Sequence, residues 1–243
     1  MSGRSEALRT TAATSWRMAT KRLEDIVLAA IGIVILAPVF AVIAIAIRLE
    51  DGGPVFYRQV RVGQGGRPFE IHKFRSMTPA PKGAGSTLTI AGDPRVTRVG
   101  AFLRRAKLDE LPQLFNVLRG EMSLVGPRPE TPDLLFHYSR SQRAVMVSLR
   151  PGMTDYASVL LRDESELLAH APDPARFYRE RIVPLKCELC AQYVSDRGPL
   201  ADMRIVLATI WSIVFPRAPN PMIDRAISSR LERAVRLGND NVA

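Results

Sequence analysis

Residues Ile26–Ile47 read IVLAAIGIVILAPVFAVIAIAI, 22 positions without a charged side chain. A helix needs roughly 20 apolar residues to cross the hydrocarbon core of a bilayer, so length alone permits a spanning helix. Pro38 stands in the middle of the run. It removes one backbone donor and crowds the preceding turn, which predicts a break. Each half would extend under ~20 Å as helix and could not span singly. Basic residues favour the cytoplasmic side of a membrane. They flank the run at both ends, with Arg17, Lys21 and Arg22 before it and Arg48, Arg58 and Arg61 after it. Two arrangements follow: a spanning helix, or a helix–break–helix that enters the bilayer and returns on the same side. A secretory signal fits less well, because the run is long for an h-region and a leader precedes it.

Outward from this run, residues 1–20 show no clear periodicity and are expected to be an arm, with the membrane segment over 21–50. Asp51-Gly52-Gly53-Pro54 is a strong break. Val55–Val62 and Phe69–Phe74 read as two short strands around Gly63-Gln64-Gly65-Gly66, a hairpin signal. That glycine cluster is not a dinucleotide fingerprint, because Pro68 takes the last glycine position and no crossover helix follows. Residues 78–98 are rich in Pro, Gly, Ser and Thr, a loop long enough to be functional. Gly100–Lys107 reads as a short basic helix. From Glu110 to Arg119 the residues Leu111, Leu114, Phe115 and Leu118 recur at helical spacing, and Gly120 suits the stop. Gly126-Pro127-Arg128-Pro129 is a rigid turn. Helices are expected around 132–148 and 175–196. Ile205–Phe215 is apolar but too short to span, so it lies in an interface or packs on the first segment. Around Ile223–Leu237 an apolar stripe is set among arginines, which suits an anionic membrane or a partner helix, a homodimer included. The expected fold class is α+β and mostly helical. A re-entrant membrane helix joins a small catalytic domain over 51–216 that carries a β-hairpin and interfacial amphipathic helices, and a basic tail covers 217–243.

The 243 residues are 47% hydrophobic and 24% charged, which excludes both a disordered chain and a multi-span transporter. The net charge of +10 favours an anionic partner. Nucleic acid is disfavoured, since no aromatic-rich basic motif and no zinc-finger spacing occurs. The two cysteines, Cys187 and Cys190, make half a zinc site at best and read as small apolar residues on a helix.

Chemistry concentrates at Lys107-Leu108-Asp109-Glu110-Leu111-Pro112. Asp109 stands where a helix begins and reads equally as an N-cap. The same position offers unpaired N–H groups and a positive dipole end, which suits phosphate. Arg98, Arg104, Arg105 and Lys107 precede the acidic pair, and Arg119 and Arg128 follow it. An ionised carboxylate in such surroundings can attack phosphorus. A non-catalytic membrane adaptor that binds anionic lipid is the rival reading, and it predicts salt-sensitive binding without any need for the acidic pair.

Several stretches together resemble the bacterial sugar transferase family, the polyprenyl-phosphate sugar-1-phosphate transferases with a single membrane-dipping helix (monotopic phosphoglycosyl transferases). They are Gly53-Pro54-Val55-Phe56 with Arg58-Gln59, Lys73-Phe74-Arg75-Ser76-Met77, Thr97-Arg98-Val99-Gly100, LDELPQLFNV over Leu108–Val117, MSLVGPRP over Met122–Pro129, and Arg150-Pro151-Gly152-Met153-Thr154. The resemblance implies a transfer of sugar 1-phosphate from a UDP-sugar to polyprenyl (undecaprenyl) phosphate, in initiation of a surface polysaccharide or glycoconjugate. It implies Asp109 as nucleophile and Mg²⁺ ligand, and Glu110 as the second acid of the pair. Arg104 and Arg128 would contact substrate phosphates, with Lys73 and Arg75 as further contacts, and Pro38 would be the break of the re-entrant helix. It places the protein at the bacterial inner membrane with the catalytic domain on the cytoplasmic face. Two departures stand out. Ala37 takes the place of a frequent Ser before Pro38, and Ala106-Lys107 that of a frequent Thr-Ser before the acidic pair. The long multi-span N-terminal region of the larger relatives is absent, which suggests a minimal form.

Overall fold

A computed structural model describes residues 2–78, 92–216 and 218–239, with side chains described over 18–78, 92–216 and 218–232. Most of the loop expected over 78–98, and the side chains at 233–237 of the tail, lie outside these residues. The chain opens with one long helix, α1 (Ser2–Asp51). It takes in residues 2–20, set apart above as an arm, and it continues through Pro38, where two helices were expected. A proline inside a helix removes a single donor, and the side chains either side of this one are held by packing: Leu36 and Phe40 both lean on apolar clusters of the domain.

An antiparallel hairpin follows, β1 (Phe56–Val62) and β2 (Pro68–Phe74), in register from Phe56 opposite Phe74 to Val62 opposite Pro68. Gly65 and Gly66 close it at φ 66° and 81°, which glycine adopts without steric cost. Then come α2 (Arg98–Arg105), a 3₁₀ turn (Leu108–Glu110), α3 (Gln113–Arg119) and β3 (Ser123–Val125). Thr97 caps α2 by accepting from the Gly100 N–H at 2.9 Å, and Gly120 ends α3 in the left-handed region, as its sequence position predicts. After α4 (Pro132–Phe136) and α5 (Arg140–Met146), β4 (Gly152–Thr154) pairs with β3 in parallel. The remainder is helical: α6 (Tyr156–Leu160), α7 (Glu164–Ala169), α8 (Pro174–Phe177), a π turn (Tyr178–Ile182), α9 (Val183–Asp196), α10 (Pro199–Val214) and α11 (Arg225–Asn239).

The main core gathers around α9, whose Leu185, Leu189 and Tyr193 are buried among α5, α6, α10 and α11. Cys187 and Cys190 are free thiols in this core, and burial pushes both up to about 12, which fits the structural reading. The tail helix spends its apolar stripe inside the chain. Ile223 and Ile227 are buried and Leu231 packs beside them, so this stripe is not open to a second copy.

One face of α1 is docked on the domain from Lys21 to Asp51. Arg22 donates to the carbonyls of Val117 and Leu118 at 2.6 and 2.8 Å, filling acceptors at the end of α3. The buried Asp25 accepts from the Ser123 hydroxyl at 2.7 Å, the Leu124 N–H at 3.1 Å and Lys21 at 2.7 Å. Ala29 packs with Leu114, Val117 and Met122. Phe40 meets Phe74 and Phe115 edge-on, and Ile43 and Ile47 join Phe74 and Leu103. Glu50 accepts from the Val99 N–H at 3.2 Å, and Asp51 pairs with Arg75. These positions recur every three or four residues, one stripe of a helix. The opposite face is apolar and uncovered, with Val34 73%, Ile35 68%, Val42 67% and Leu49 82% exposed. α10 continues it: Ile205 and Ala208 are buried, while Leu200, Met203, Leu207, Ile210 and Val214 face outward. Lys21 ties the two helices through Asp202 at 2.9 Å.

Asp25→Ala would leave the Leu124 N–H without its acceptor, the Ser123 hydroxyl with only the Val125 carbonyl, and Lys21 with only Asp202. Thermal unfolding in detergent should show a loss of about 3 kcal/mol, and Asp25→Asn a smaller one.

Candidate active site

Asp109 and Glu110 lie in the 3₁₀ turn between α2 and α3. The turn is entered through Lys107 at φ 56°, the one non-glycine residue at positive φ among the described residues. An L-residue pays roughly 1 kcal/mol for that conformation, so the surroundings must hold it. Asp109 does not cap α3, whose N-cap position belongs to Pro112.

The two adjacent carboxylates have opposite environments. Glu110 accepts from Lys73 at 2.8 Å and from both terminal nitrogens of Arg128, one of them at 3.1 Å. Burial alone would raise its carboxyl. The charges of Arg128 and Lys73 outweigh burial and hold it well below the usual glutamate range. Asp109 is 6% exposed, and its carboxylate has no hydrogen-bond partner among the described residues. Burial pushes its pKa up, Lys73 opposes this, and the Glu110 charge adds to it.

Both carboxylates open onto a cavity of about 680 Å³, lined by nine lysines and arginines against four acidic side chains. Such a surplus suits a phosphorylated ligand. The expected phosphate contacts are all brought to this cavity, with different engagements. Arg104 reaches only the Met77 thioether, at 3.5 Å, among the described residues. Its cation is therefore available to a ligand. Lys73 and Arg128 are committed to Glu110, and Arg75 is committed to Asp51 at the end of α1. For these three the structure shows a carboxylate partner within the chain, and contact with a substrate phosphate stays an expectation. Pro38, on α1, is not a residue of the cavity.

The wall also holds groups that their sequence positions do not announce. Glu130 accepts from Tyr138 at 3.0 Å, Tyr178 at 3.1 Å and Lys186 at 3.1 Å, and Lys186 reaches Glu164 at 3.1 Å. This buried cluster is satisfied internally and reads as the scaffold of the wall. Arg61, Ser158 and Arg162 each keep a buried polar atom without a well-aligned partner among the described residues. They come from segments separated by up to about 100 residues, so no local motif could have gathered them.

Among the described residues no cluster of three His, Cys, Asp or Glu side chains could hold a metal. Mg²⁺ needs no such cage, since one or two carboxylates with substrate phosphates and water suffice. The unpartnered Asp109 carboxylate fits that role, and the clamped Glu110 does not.

The description "Bacterial sugar transferase" belongs to the family model that matches residues 16–216. A Caulobacter vibrioides protein named UDP-glucose:undecaprenyl-phosphate glucose-1-phosphate transferase is 41% identical over 197 residues, 80% of this chain and 69% of that protein. An Aeromonas hydrophila UDP-N-acetylgalactosamine-undecaprenyl-phosphate N-acetylgalactosaminephosphotransferase is 44% identical over 80% of this chain and 43% of its own length. A Bacillus subtilis putative undecaprenyl-phosphate N-acetylgalactosaminyl 1-phosphate transferase is 53% identical over 119 residues, 49% of this chain and 66% of that protein. The chain thus spans about two thirds of two of these relatives and under half of the third. With its acidic turn inside a match that runs from residue 16 to residue 216, the chain belongs to the bacterial sugar transferase family.

Proposed function

We propose that this protein transfers a sugar 1-phosphate from a UDP-sugar to undecaprenyl phosphate in two displacements through Asp109. The observation that carries this reading is the Asp109 carboxylate: buried, without a hydrogen-bond partner among the described residues, and facing a cavity rich in cations. A desolvated carboxylate is a strong nucleophile toward phosphorus, and the cations stabilise the charge that develops there. A membrane adaptor gives no reason for such a group, since an unpaired buried carboxylate costs stability and returns nothing to lipid binding.

In the first displacement an Asp109 carboxylate oxygen attacks the sugar-bearing phosphorus. The bond from phosphorus to the bridging oxygen breaks, and UMP leaves with that electron pair. In the second, an oxygen of undecaprenyl phosphate attacks the same phosphorus, and the bond to Asp109 breaks and restores the carboxylate. Arg104 meets the phosphates. Lys73 and Arg128 hold Glu110, and through it the turn that aims Asp109. Mg²⁺, when bound, would neutralise charge on the diphosphate and the departing UMP, with Asp109 as its protein ligand.

The docked stripe of α1 supports a reading of its membrane placement. The domain packs along some 45 Å of helix from Arg22 to Asp51, which leaves no stretch free to cross a bilayer alone. We read α1 as lying with its uncovered apolar face in one leaflet of the inner membrane, the domain held on the cytoplasmic side; the return at Pro38 that a re-entrant hairpin needs is not present in the continuous helix. That height brings the cavity to a phosphate fixed at the lipid interface.

Asp109→Asn should lower UMP release from UDP-sugar, undecaprenyl phosphate and Mg²⁺ by at least about 1000-fold while membrane association persists. Activity near that of the wild type, without deamidation to Asp, would sink the assignment. Hydroxylamine quenching of the wild type with donor alone should leave a hydroxamate on Asp109, read by peptide mass. Because burial raises this carboxyl and the ionised form attacks, kcat/KM should fall with acid at a pH above the ordinary aspartate value of about 4. A limb at or below that value would place the nucleophile elsewhere. The same sign predicts that Asp109→Asn does not lower the Tm, since it removes a charge that folding disfavours. Glu110→Gln, in contrast, should cost roughly 3 kcal/mol in thermal unfolding and depress kcat, because it strands Lys73 and Arg128.

A further inference from the structure

We infer that Arg162 and Ser158 form a donor-recognition subsite, with Arg162 binding a phosphate oxygen of the nucleoside diphosphate and Ser158 a hydroxyl of the sugar. This rests on the transfer reading above and extends it to residues that none of the motifs contains. Ser158 lies on α6 and Arg162 two residues past its end, and both line the cavity. The Asp155 carboxylate takes the Ser158 N–H at 2.7 Å, and the buried Ser158 Oγ, close to the same carboxylate, completes no well-aligned hydrogen bond among the described residues.

Arg162 is mostly buried, with 13% of its side chain exposed. Its Nη2 donates to the Arg105 carbonyl at 3.2 Å, and its Nε lies 3.9 Å from Asp163. Its Nη1 is buried and has no acceptor among the described residues. A guanidinium cannot shed its charge, so this N–H suits an oxygen from a ligand, preferably an anionic one. A hydroxyl and a charged donor on the wall of one cavity, both unmatched among the described residues, fit a ligand that carries a phosphate next to a polyol. A UDP-sugar has that pattern, whereas the polyprenyl chain does not.

A second link joins this corner to the chemistry. Lys107 donates from Nζ to the Arg162 carbonyl at 3.3 Å, while Arg162 donates back to Arg105. The two bonds run in opposite directions between residues 105–107 and 162. The strained Lys107, two residues before the nucleophile, is thereby held by the same arginine that keeps a donor free for the ligand. Lys107 acts here as a positioning residue.

The test uses the full chain in nanodiscs and two readouts. Isothermal titration of UDP, which needs no turnover, should weaken roughly 10- to 100-fold with Arg162→Lys and stay within about twofold with Ser158→Ala. In the UMP assay Ser158→Ala should raise the donor KM about 10-fold, with the KM for undecaprenyl phosphate and the Tm unchanged. A purely structural role predicts a lowered Tm and no selective change in either donor readout, and that outcome overturns the proposal. UDP affinity and donor KM within twofold of wild type in both variants overturn it as well. If the wild type released UMP from no UDP-sugar yet bound UDP in a manner that depends on Arg162, the phosphate half of the subsite would stand and the transfer reading would fall.

Discussion

The clamped Glu110 carboxylate is the constraint on which the site depends. Three segments far apart in sequence converge on it: Lys73 from the end of β2, Glu110 from the 3₁₀ turn, and Arg128 from the turn after β3. All three charges are partly withdrawn from water, which is costly for an ion without a partner. Together they neutralise one another in part and leave a net positive centre. Hairpin, acidic turn and Gly126–Pro129 turn are thus brought into one arrangement by electrostatics, and the unclamped neighbour Asp109 is aimed as a consequence. Gly100 supports the same geometry from α2: a Cβ there would land on the Ser76 carbonyl, so glycine is what lets α2 sit against the end of the strand segment.

The membrane helix is part of the same construction. Its docked stripe ends on Asp51, whose partner Arg75 lies two residues beyond Lys73. At the other end Arg22 and Asp25 fill backbone and hydroxyl groups of α3 and β3, the elements that bracket Arg128 from below. A shift of α1 along its axis would therefore be felt at the acidic turn through rigid, hydrogen-bonded elements. α1 and α10 each carry an uncovered apolar face, and the distance between the face of α1 and Asp109 is set by packing and not by a flexible linker.

Features carried by local pattern were legible in the sequence. The hairpin, the α3 stripe from Leu111 to Leu118, the stop at Gly120 and the apolar run of α1 each depend on residues within one or two turns of each other. Asp109 and Glu110 were found as a pair for the same reason. The partners of the cations were not legible. Lys73 and Arg128 look alike as basic residues near an acidic motif, and only the fold shows that Glu110 takes both while Arg104 is left open. Arg162 and Ser158 gave no signal, because an unmatched N–H exists only after the chain has closed around it. The tail misled for a related reason. An amphipathic stripe specifies that something covers it, and α9 with its neighbours turned out to be the cover.

Two carboxylates joined by one peptide bond end with their acidities moved in opposite directions, and burial acts on both alike. The difference lies in the charges of Arg128 and Lys73 against Glu110, with their hydrogen bonds adding to it. Each proton that Lys73 and Arg128 give to Glu110 is withheld from Asp109, and each unit of charge kept on Glu110 repels charge from Asp109. The clamp thereby performs two tasks with one set of atoms: it fixes the turn, and it leaves its neighbour desolvated and reactive without exposing it to water. A carboxylate of this kind needs its counter-charge to arrive with a ligand. A cavity with surplus cations a short distance away, and a carboxylate that none of them satisfies, is the state in which a phosphorylated ligand completes the electrostatics that folding left open.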